Sequence, residues 1–313
     1  MSTLSVSLKK YLALRRRLGS QLRGVDSGLQ DFVAFAKRER ASYITTDLAL
    51  RWAQKPAQAQ SATWASRLRM VRCFAVWLSA TDGRTEVPPV GLLPYHYRRQ
   101  PPYIYTDAEI AALIRAATRL ASPQGLRGRT YSTIFGLLSV TGMRVSEALA
   151  LDREDVDLKQ GILRIRRTKF GKSRLVLLHE STCQVLAAYA VTRDRVVRRP
   201  ATAAFFLSER GTRVSGCATR YTFAKVSRAV GLRSPTPGRR HGHGPRLHDL
   251  RHRFAARTLV TWYRRGVDVE RELPKLAAYL GHAHVNDTYW YLEAVPELLE
   301  LATRRLEKRT EVK

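Results

Sequence analysis

Apolar positions recur at helical spacing between residues 4 and 80, most clearly where Val71, Phe74, Ala75 and Leu78 follow at i, i+3, i+4 and i+7. An earlier group, Phe32, Val33, Phe35 and Ala36, repeats the pattern. Both predict core-facing helix stripes, with Arg67, Arg69 and Arg72 forming a basic face behind the second. The periodicity stops between residues 81 and 102, where Asp82-Gly83, Pro88-Pro89, Pro94 and Pro101-Pro102 crowd together. Proline lacks an amide donor and holds the residue before it extended, so this stretch predicts a linker. Helical spacing resumes after Thr106-Asp107-Ala108-Glu109, a capping box in which Thr106 covers free amides and Glu109 reaches back.

A buried helix over 131–141 and a second one from Arg144 come next. Two apolar-rich runs, Ile162-Leu163-Arg164-Ile165-Arg166 and Arg174-Leu175-Val176-Leu177-Leu178, then flank a short loop containing Gly171, the pattern of a β-hairpin. Helices are predicted over 181–195, over 218–230 and from 248 to the end, with the basic, Pro/Gly-rich stretch 234–246 as a break. No internal repeat is present. The fold class expected is mainly α with a small antiparallel β-sheet: an all-α region over 1–82, a linker over 83–105 and an α+β domain over 106–313.

Charge narrows the partner. Lys and Arg number 55 against 26 Asp and Glu, a net charge of +29. A compact body with that self-repulsion fits a polyanion better than ordinary metabolic chemistry. Of the basic residues 44 are Arg and 11 are Lys, a skew that GC-rich coding also produces, so charge alone assigns a partner class and no reaction. Nucleic acid is the expected partner. A membrane is not, because no apolar run reaches the roughly 18 residues that a span needs and no basic amphipathic helix adjoins an apolar anchor. The polar opening of the chain reads as no secretory leader. Cys73, Cys183 and Cys217 are odd in number and far apart, which fits a reducing compartment rather than disulfides or a zinc finger. The expected location is cytoplasmic and nucleoid-associated.

Five short stretches carry candidate chemistry. Thr141-Gly142-Met143-Arg144-Val145-Ser146-Glu147-Ala148-Leu149 sets Arg144 at a helix start, with Glu147 one turn on to orient its guanidinium. His248-Asp249-Leu250-Arg251 puts a proton-transfer group and a bidentate oxyanion clamp on one helical face. Leu280-Gly281-His282 and Thr288-Tyr289-Trp290-Tyr291 follow, with Tyr291 nine positions after His282. At the hairpin tip, Lys169 and Lys172 can reach a ligand from a loop. Six of the eight histidines fall between His241 and His284, yet no carboxylate cluster or cysteine spacing completes a metal shell, so neither a metal nor a cofactor is expected. His252 and His284 read as capping or solvated side chains, and His241 and His243 as additions to a basic loop.

In this order the stretches resemble the tyrosine recombinase, or phage integrase, family, over roughly residues 106–293. The resemblance implies a site-specific DNA recombinase. A tyrosine oxygen attacks a phosphodiester, leaving a 3′-phosphotyrosyl link and a free 5′-hydroxyl that later attacks a partner strand. Arg144 and Arg251 match the family's phosphate clamps, His248 the residue that helps deprotonate the tyrosine, and His282 a second phosphate contact. Lys169 matches the hairpin lysine that protonates the leaving oxygen, with Lys172 as the alternative. Tyr291 matches the nucleophile by its spacing from His282, with Tyr289 as the neighbour to exclude. The resemblance further implies an N-terminal core-binding domain, a C-shaped clamp on duplex DNA, and a tetramer on paired sites, possible companion recombinases included. Residues 295–306 predict a C-terminal helix that docks on a neighbouring subunit or on its own domain. Two other readings stand beside this one: a catalytically silent DNA-binding regulator of recombination, and strand relaxation of the type IB topoisomerase kind.

Overall fold

The computed structural model describes residues 3–20, 22, 24–95, 101–166, 173–236, 239–282, 284–285, 288–289, 291 and 296–311. The chain divides into two compact units, Met1–Gln100 and Pro101–Lys313. Among the described residues, no helix is long and apolar enough to cross a membrane.

The first unit is built from α1 (Thr3–Arg17), α2 (Val25–Arg38), α3 (Thr46–Gln54) and α4 (Ser61–Ser79). The helix stripes read from the sequence form its core: Phe32, Val33, Phe35, Ala36, Val71, Phe74, Ala75 and Leu78 are all buried. Thr45 ends the loop before α3 by accepting a hydrogen bond from the Leu48 amide at 3.1 Å. The expected basic face on α4 is only partly a free surface. Arg67 lies 3.8 Å over the Trp52 ring and donates to the Trp52 carbonyl at 3.1 Å, because the broad indole face offers a cation a better seat than water alone. Arg72 donates to the Pro88 carbonyl at 2.9 Å, while Arg69 is exposed. The start of the proline-rich stretch is anchored too. The Glu86 amide donates to the Ile44 carbonyl at 2.8 Å, its carboxylate receives the Thr46 amide at 2.7 Å, and Val87 and Leu93 pack on the helical core. Proline therefore sets the path of this segment without leaving it loose.

The second unit begins with α5 (Asp107–Thr118), entered through the predicted Thr106–Glu109 capping box. The stretch before it is also fixed, with Tyr105 buried and its hydroxyl donating to the Arg246 carbonyl at 3.1 Å. Helix α6 (Leu126–Thr141) runs through the middle of the unit and packs against α5, α8 and α10. It starts earlier than the apolar run suggests, since Thr130, Ser132 and Thr133 are buried along with the apolar side chains. Phe135 meets Phe223 edge-on at 5.2 Å, and burying one such ring stabilises the fold by about 1.5–3 kcal/mol. After α7 (Val145–Ala150) the strands β1 (Val156–Asp157), β2 (Ile162–Ile165) and β3 (Arg174–Leu177) form an antiparallel sheet in that order. The predicted hairpin is β2–β3, with Ile162 opposite Leu177 and Ile165 opposite Arg174.

Helices α8 (Glu180–Val196) and α9 (Gly216–Ala229) match the predicted segments closely. The basic break that follows is instead a second hairpin, β4 (Ser234–Thr236) with β5 (Arg239–His243). Pro235 hides the alternation and belongs on a strand that needs few ladder donors. Nor is the chain from 248 onward one helix. It comprises α10 (Asp249–Arg264), α11 (Val269–Leu280) and α12 (Pro296–Glu311), with Gly266 at φ +68° between the first two. Leu259, Leu273, Leu276, Leu280, Tyr291 and Leu298 cluster between them. The first turn of α12 thus packs on its own domain, through Leu298 and a 2.7 Å ion pair from Arg264 to Glu297.

Candidate active site

Two helix ends make the platform. Helix α6 ends in Gly142 at φ +60°, where a Cβ would come within 2.5 Å of the Phe254 ring. Helix α11 ends in Gly281 at φ +69°, where a Cβ would stand 2.8 Å from the Arg174 guanidinium. Both positions demand glycine for the left-handed backbone and for space. The carbonyls freed at these ends bind the two predicted clamps. Arg251, in the first turn of α10, donates through Nη1 to the Gly142 carbonyl at 2.9 Å and through Nη2 to the Leu280 carbonyl at 2.8 Å. Arg144, just before α7, donates through Nη2 to the Gly281 carbonyl at 2.8 Å. Helix C-termini carry partial negative charge and unsatisfied carbonyls, so they hold guanidinium groups well.

Glu147 plays the orienting part expected of it. It receives the Arg144 amide at 2.8 Å and Arg144 Nη1 at 2.8 Å. It also takes a fork from Arg174, Nη1 at 3.0 Å and Nη2 at 2.7 Å, while Arg174 Nε donates to the Tyr279 carbonyl at 2.7 Å. Arg174 was not among the expected residues. The signal for it is the strand alternation: it shares a face of β3 with the buried Val176 and so points inward.

On the other side of Arg251 stand the histidines and the tyrosine. His248 stands at the N-cap position of α10 and reaches the surface. His282 follows Gly281, pairs through Nδ1 with Thr288 Oγ1 at 2.7 Å, and stacks on the Tyr291 ring with 6.3 Å between centroids. Tyr291 is only 2% exposed, whereas Tyr289 is 44% exposed. The Tyr291 hydroxyl lies 3.2 Å from Nδ1 of His252. This corrects the reading of His252 as a capping or solvated side chain. It is 5% exposed, because it shares the buried face of α10 with Ala255, Ala256 and Leu259. His284 is exposed, as expected. Lys169 and Lys172 lie outside the described residues, as do the side chains of His241 and His243.

Residues 104–297, which contain all of these groups, match the model of the phage integrase family. The chain belongs to the phage integrase family. It is 47% identical over 315 residues to a putative integrase/recombinase, y4rB, of Sinorhizobium fredii, the match covering 99% of each chain. It is 30% identical over 289 residues to the tyrosine recombinase XerC of Herpetosiphon aurantiacus, over 90% of this chain and 87% of that one. Among solved structures, a lambda integrase tetramer bound to a Holliday junction shares the fold with a TM-score of 0.57 and 18% identity, over 91% of this chain and 78% of that one. The enzyme is accordingly a tyrosine-type site-specific recombinase.

For a phage integrase family member the electrostatics of this region are telling. Burial pushes the Glu147 carboxyl up, but the Arg174 and Arg144 guanidinium groups outweigh it and hold its pKa below the usual carboxylate value. Burial, together with the nearby Arg144, pushes Arg251 down to about 10. Desolvation of the His248 ring by the surrounding protein, with Arg251 beside it, holds that histidine below its ordinary value.

Proposed function

We propose that this recombinase cleaves and rejoins double-stranded DNA with Tyr291 as nucleophile, and with Arg144 and Arg251 clamping the non-bridging oxygens of the scissile phosphate. The observation that carries the reading is the pair of guanidinium groups, each tied to helix-end carbonyls, within the domain that buries Tyr291 between His252 and His282. A pentacoordinate phosphorane gains negative charge over the ground state, and donors fixed beforehand stabilise that charge without reorganising. Forked, permanently charged arginine suits this task better than lysine. His248 is assigned a phosphate contact and a part in drawing the proton from Tyr291, and His282 a further phosphate contact. Lys169, with Lys172 as the alternative, is assigned the proton for the leaving 5′-oxygen. Exchange of one phosphodiester for a phosphotyrosyl link conserves bond energy, so neither a nucleotide nor a divalent ion is assigned, and cleavage should persist in a chelator.

The first 82 residues are assigned to core-site binding, 83–105 to the connection and 106–313 to catalysis. The working form is a tetramer on two paired sites, alone or with companion recombinases, on DNA of the cytoplasmic nucleoid. The test starts from DNA covalently trapped on the protein in cells, whose sequence reports the site. On a nicked duplex carrying that site, the wild-type protein and Tyr289→Phe should form covalent adducts and Tyr291→Phe should form none. Adducts with Tyr291→Phe would overturn the assignment.

A further inference from the structure

We propose that His252 is a further catalytic residue, the immediate acceptor of the Tyr291 hydroxyl proton during strand cleavage. The inference rests on Tyr291 being the nucleophile. Its geometric basis is the 3.2 Å approach of His252 Nδ1 to the tyrosine oxygen, with both side chains buried. A neutral imidazole carrying its hydrogen on Nε2 presents the Nδ1 lone pair to that hydroxyl. On the far edge of the ring, Nε2 faces Asp249 Oδ1 at 4.0 Å. Asp249 is itself held by Arg246, through the backbone amide at 2.7 Å and Nη2 at 3.0 Å. The nucleophile and the base are thus in hydrogen-bond contact, and Asp249, beyond hydrogen-bond reach of the ring, supplies a nearby negative charge that favours the imidazolium formed on proton uptake.

The His248 ring lies edge-on to the His252 ring with 4.7 Å between centroids, and it reaches the surface. A proton taken up inside the domain thus sits one ring away from solvent. Among the described residues, the charged and titratable groups around His252 include Asp249 and His248 on its own helix, Tyr291 from the following segment, Arg246 behind Asp249 and His282 stacked on the Tyr291 ring. In the step itself, the tyrosine O–H bond breaks and its proton moves to His252 Nδ1 while the oxygen bonds to phosphorus. The bond from phosphorus to the 5′-oxygen breaks, and that oxygen keeps the electron pair and takes a proton from the hairpin lysine. Religation reverses each transfer.

The test is single-turnover cleavage by the full chain on the nicked cognate duplex, followed across roughly pH 6 to 9.5. His252→Asn keeps an oxygen acceptor near the Nδ1 position but takes up no proton. Binding of the duplex should be unchanged. The rate near neutral pH should fall at least about 10²-fold, and it should climb about tenfold per pH unit where the wild-type rate levels off. Replacing the 5′-bridging oxygen by sulfur, which leaves without a proton, should rescue loss of the hairpin lysine and leave the His252→Asn defect in place. A second measurement keeps the chain otherwise intact by placing a more acidic fluorinated tyrosine at position 291. The acid limb of the pH–rate profile should stay where it is if His252 takes the proton, and move with the acidity of the tyrosine if it does not. Wild-type cleavage by His252→Asn at every pH, rescue of that variant by sulfur, or a limb that moves would each overturn the role of His252. Inert Tyr291→Phe beside a normal His252→Asn would leave the nucleophile standing and remove only the base; adducts formed by Tyr291→Phe would remove both.

Discussion

Among the described residues, the buried side chains of the first unit are apolar apart from Thr85, whereas the second unit holds Glu147, Asp155, Arg193, Asp249, Arg251, His252 and Arg253 in its interior. The first is a helical body whose charges stay at the rim or lie over an aromatic face, as Arg67 does on Trp52. The second takes charges out of water, at an intrinsic cost of several kcal/mol per ion before pairing. That cost is tolerated where each charge has partners already in place: two arginines around Glu147, and helix-end carbonyls around Arg251 and Arg144. One unit thus gains stability from its interior in the ordinary way. The other uses part of its interior to fix the side chains proposed for the reaction.

The sharpest contrast lies in activity. Tyr291→Phe should reduce covalent adducts, read on a denaturing gel, to background while melting within about 1 kcal/mol of wild type, since only a hydroxyl hydrogen bond is lost. Next, Arg144→Ala and Arg251→Ala should each lower single-turnover cleavage by about 10²–10³. Cleavage by either variant at the wild-type rate would show that these arginines serve packing alone.

Glu147→Gln addresses stability directly. It leaves two guanidinium groups without their carboxylate and should cost about 3–5 kcal/mol in urea unfolding. The sign with pH follows from the lowered pKa of Glu147. The carboxylate contributes fully above its unfolded value of about 4.3, and the contribution is lost as the pH falls through the lower folded value. Wild type should therefore lose stability in acid more steeply than the variant, and parallel curves would contradict the pairing. The smallest effect belongs to the first unit. Arg67→Met should cost about 1 kcal/mol through the lost cation–π contact and leave cleavage unchanged. Were the same variant to lower the salt dependence of DNA binding by about one ion, Arg67 would be a phosphate contact and the contrast between the units would weaken.

Much of this was legible beforehand wherever a local rule sufficed. The three-residue spacing of Arg144 and Glu147 placed them on one face, and the bonds between them are present. The alternation around Gly171 placed a hairpin that the β2–β3 register bears out. What went unread needed either a mixed pattern or a distant partner. His252 stands at i, i+3, i+4 and i+7 with Ala255, Ala256 and Leu259, so its burial was written in the periodicity, but a histidine does not count as apolar in such a scan. Arg174 was passed over for the same reason on a strand. The 234–243 hairpin was hidden by proline and glycine, which speak for turns before they speak for strands. Helix-end carbonyls as arginine partners carry no mark in the sequence, because they are backbone atoms supplied by whichever helix stops in the right place.

Those carbonyls bear on when the molecule becomes dangerous to DNA. Arg251 is fastened to Gly142, 109 positions earlier, and Arg144 to Gly281, 137 positions later, so Gly142, two residues before Arg144, serves the other arginine. Neither half of the unit can assemble a clamp by itself. The end of α11 serves both guanidinium groups, through the Leu280 carbonyl for Arg251 and the Gly281 carbonyl for Arg144, so a chain that stops short of residue 280 or frays there loses an anchor of each at once. On the proposed roles of the two arginines, competence to break a strand therefore waits on the end of α11, and the ties that orient the guanidinium groups double as an interlock against nicking by incomplete or unfolding copies.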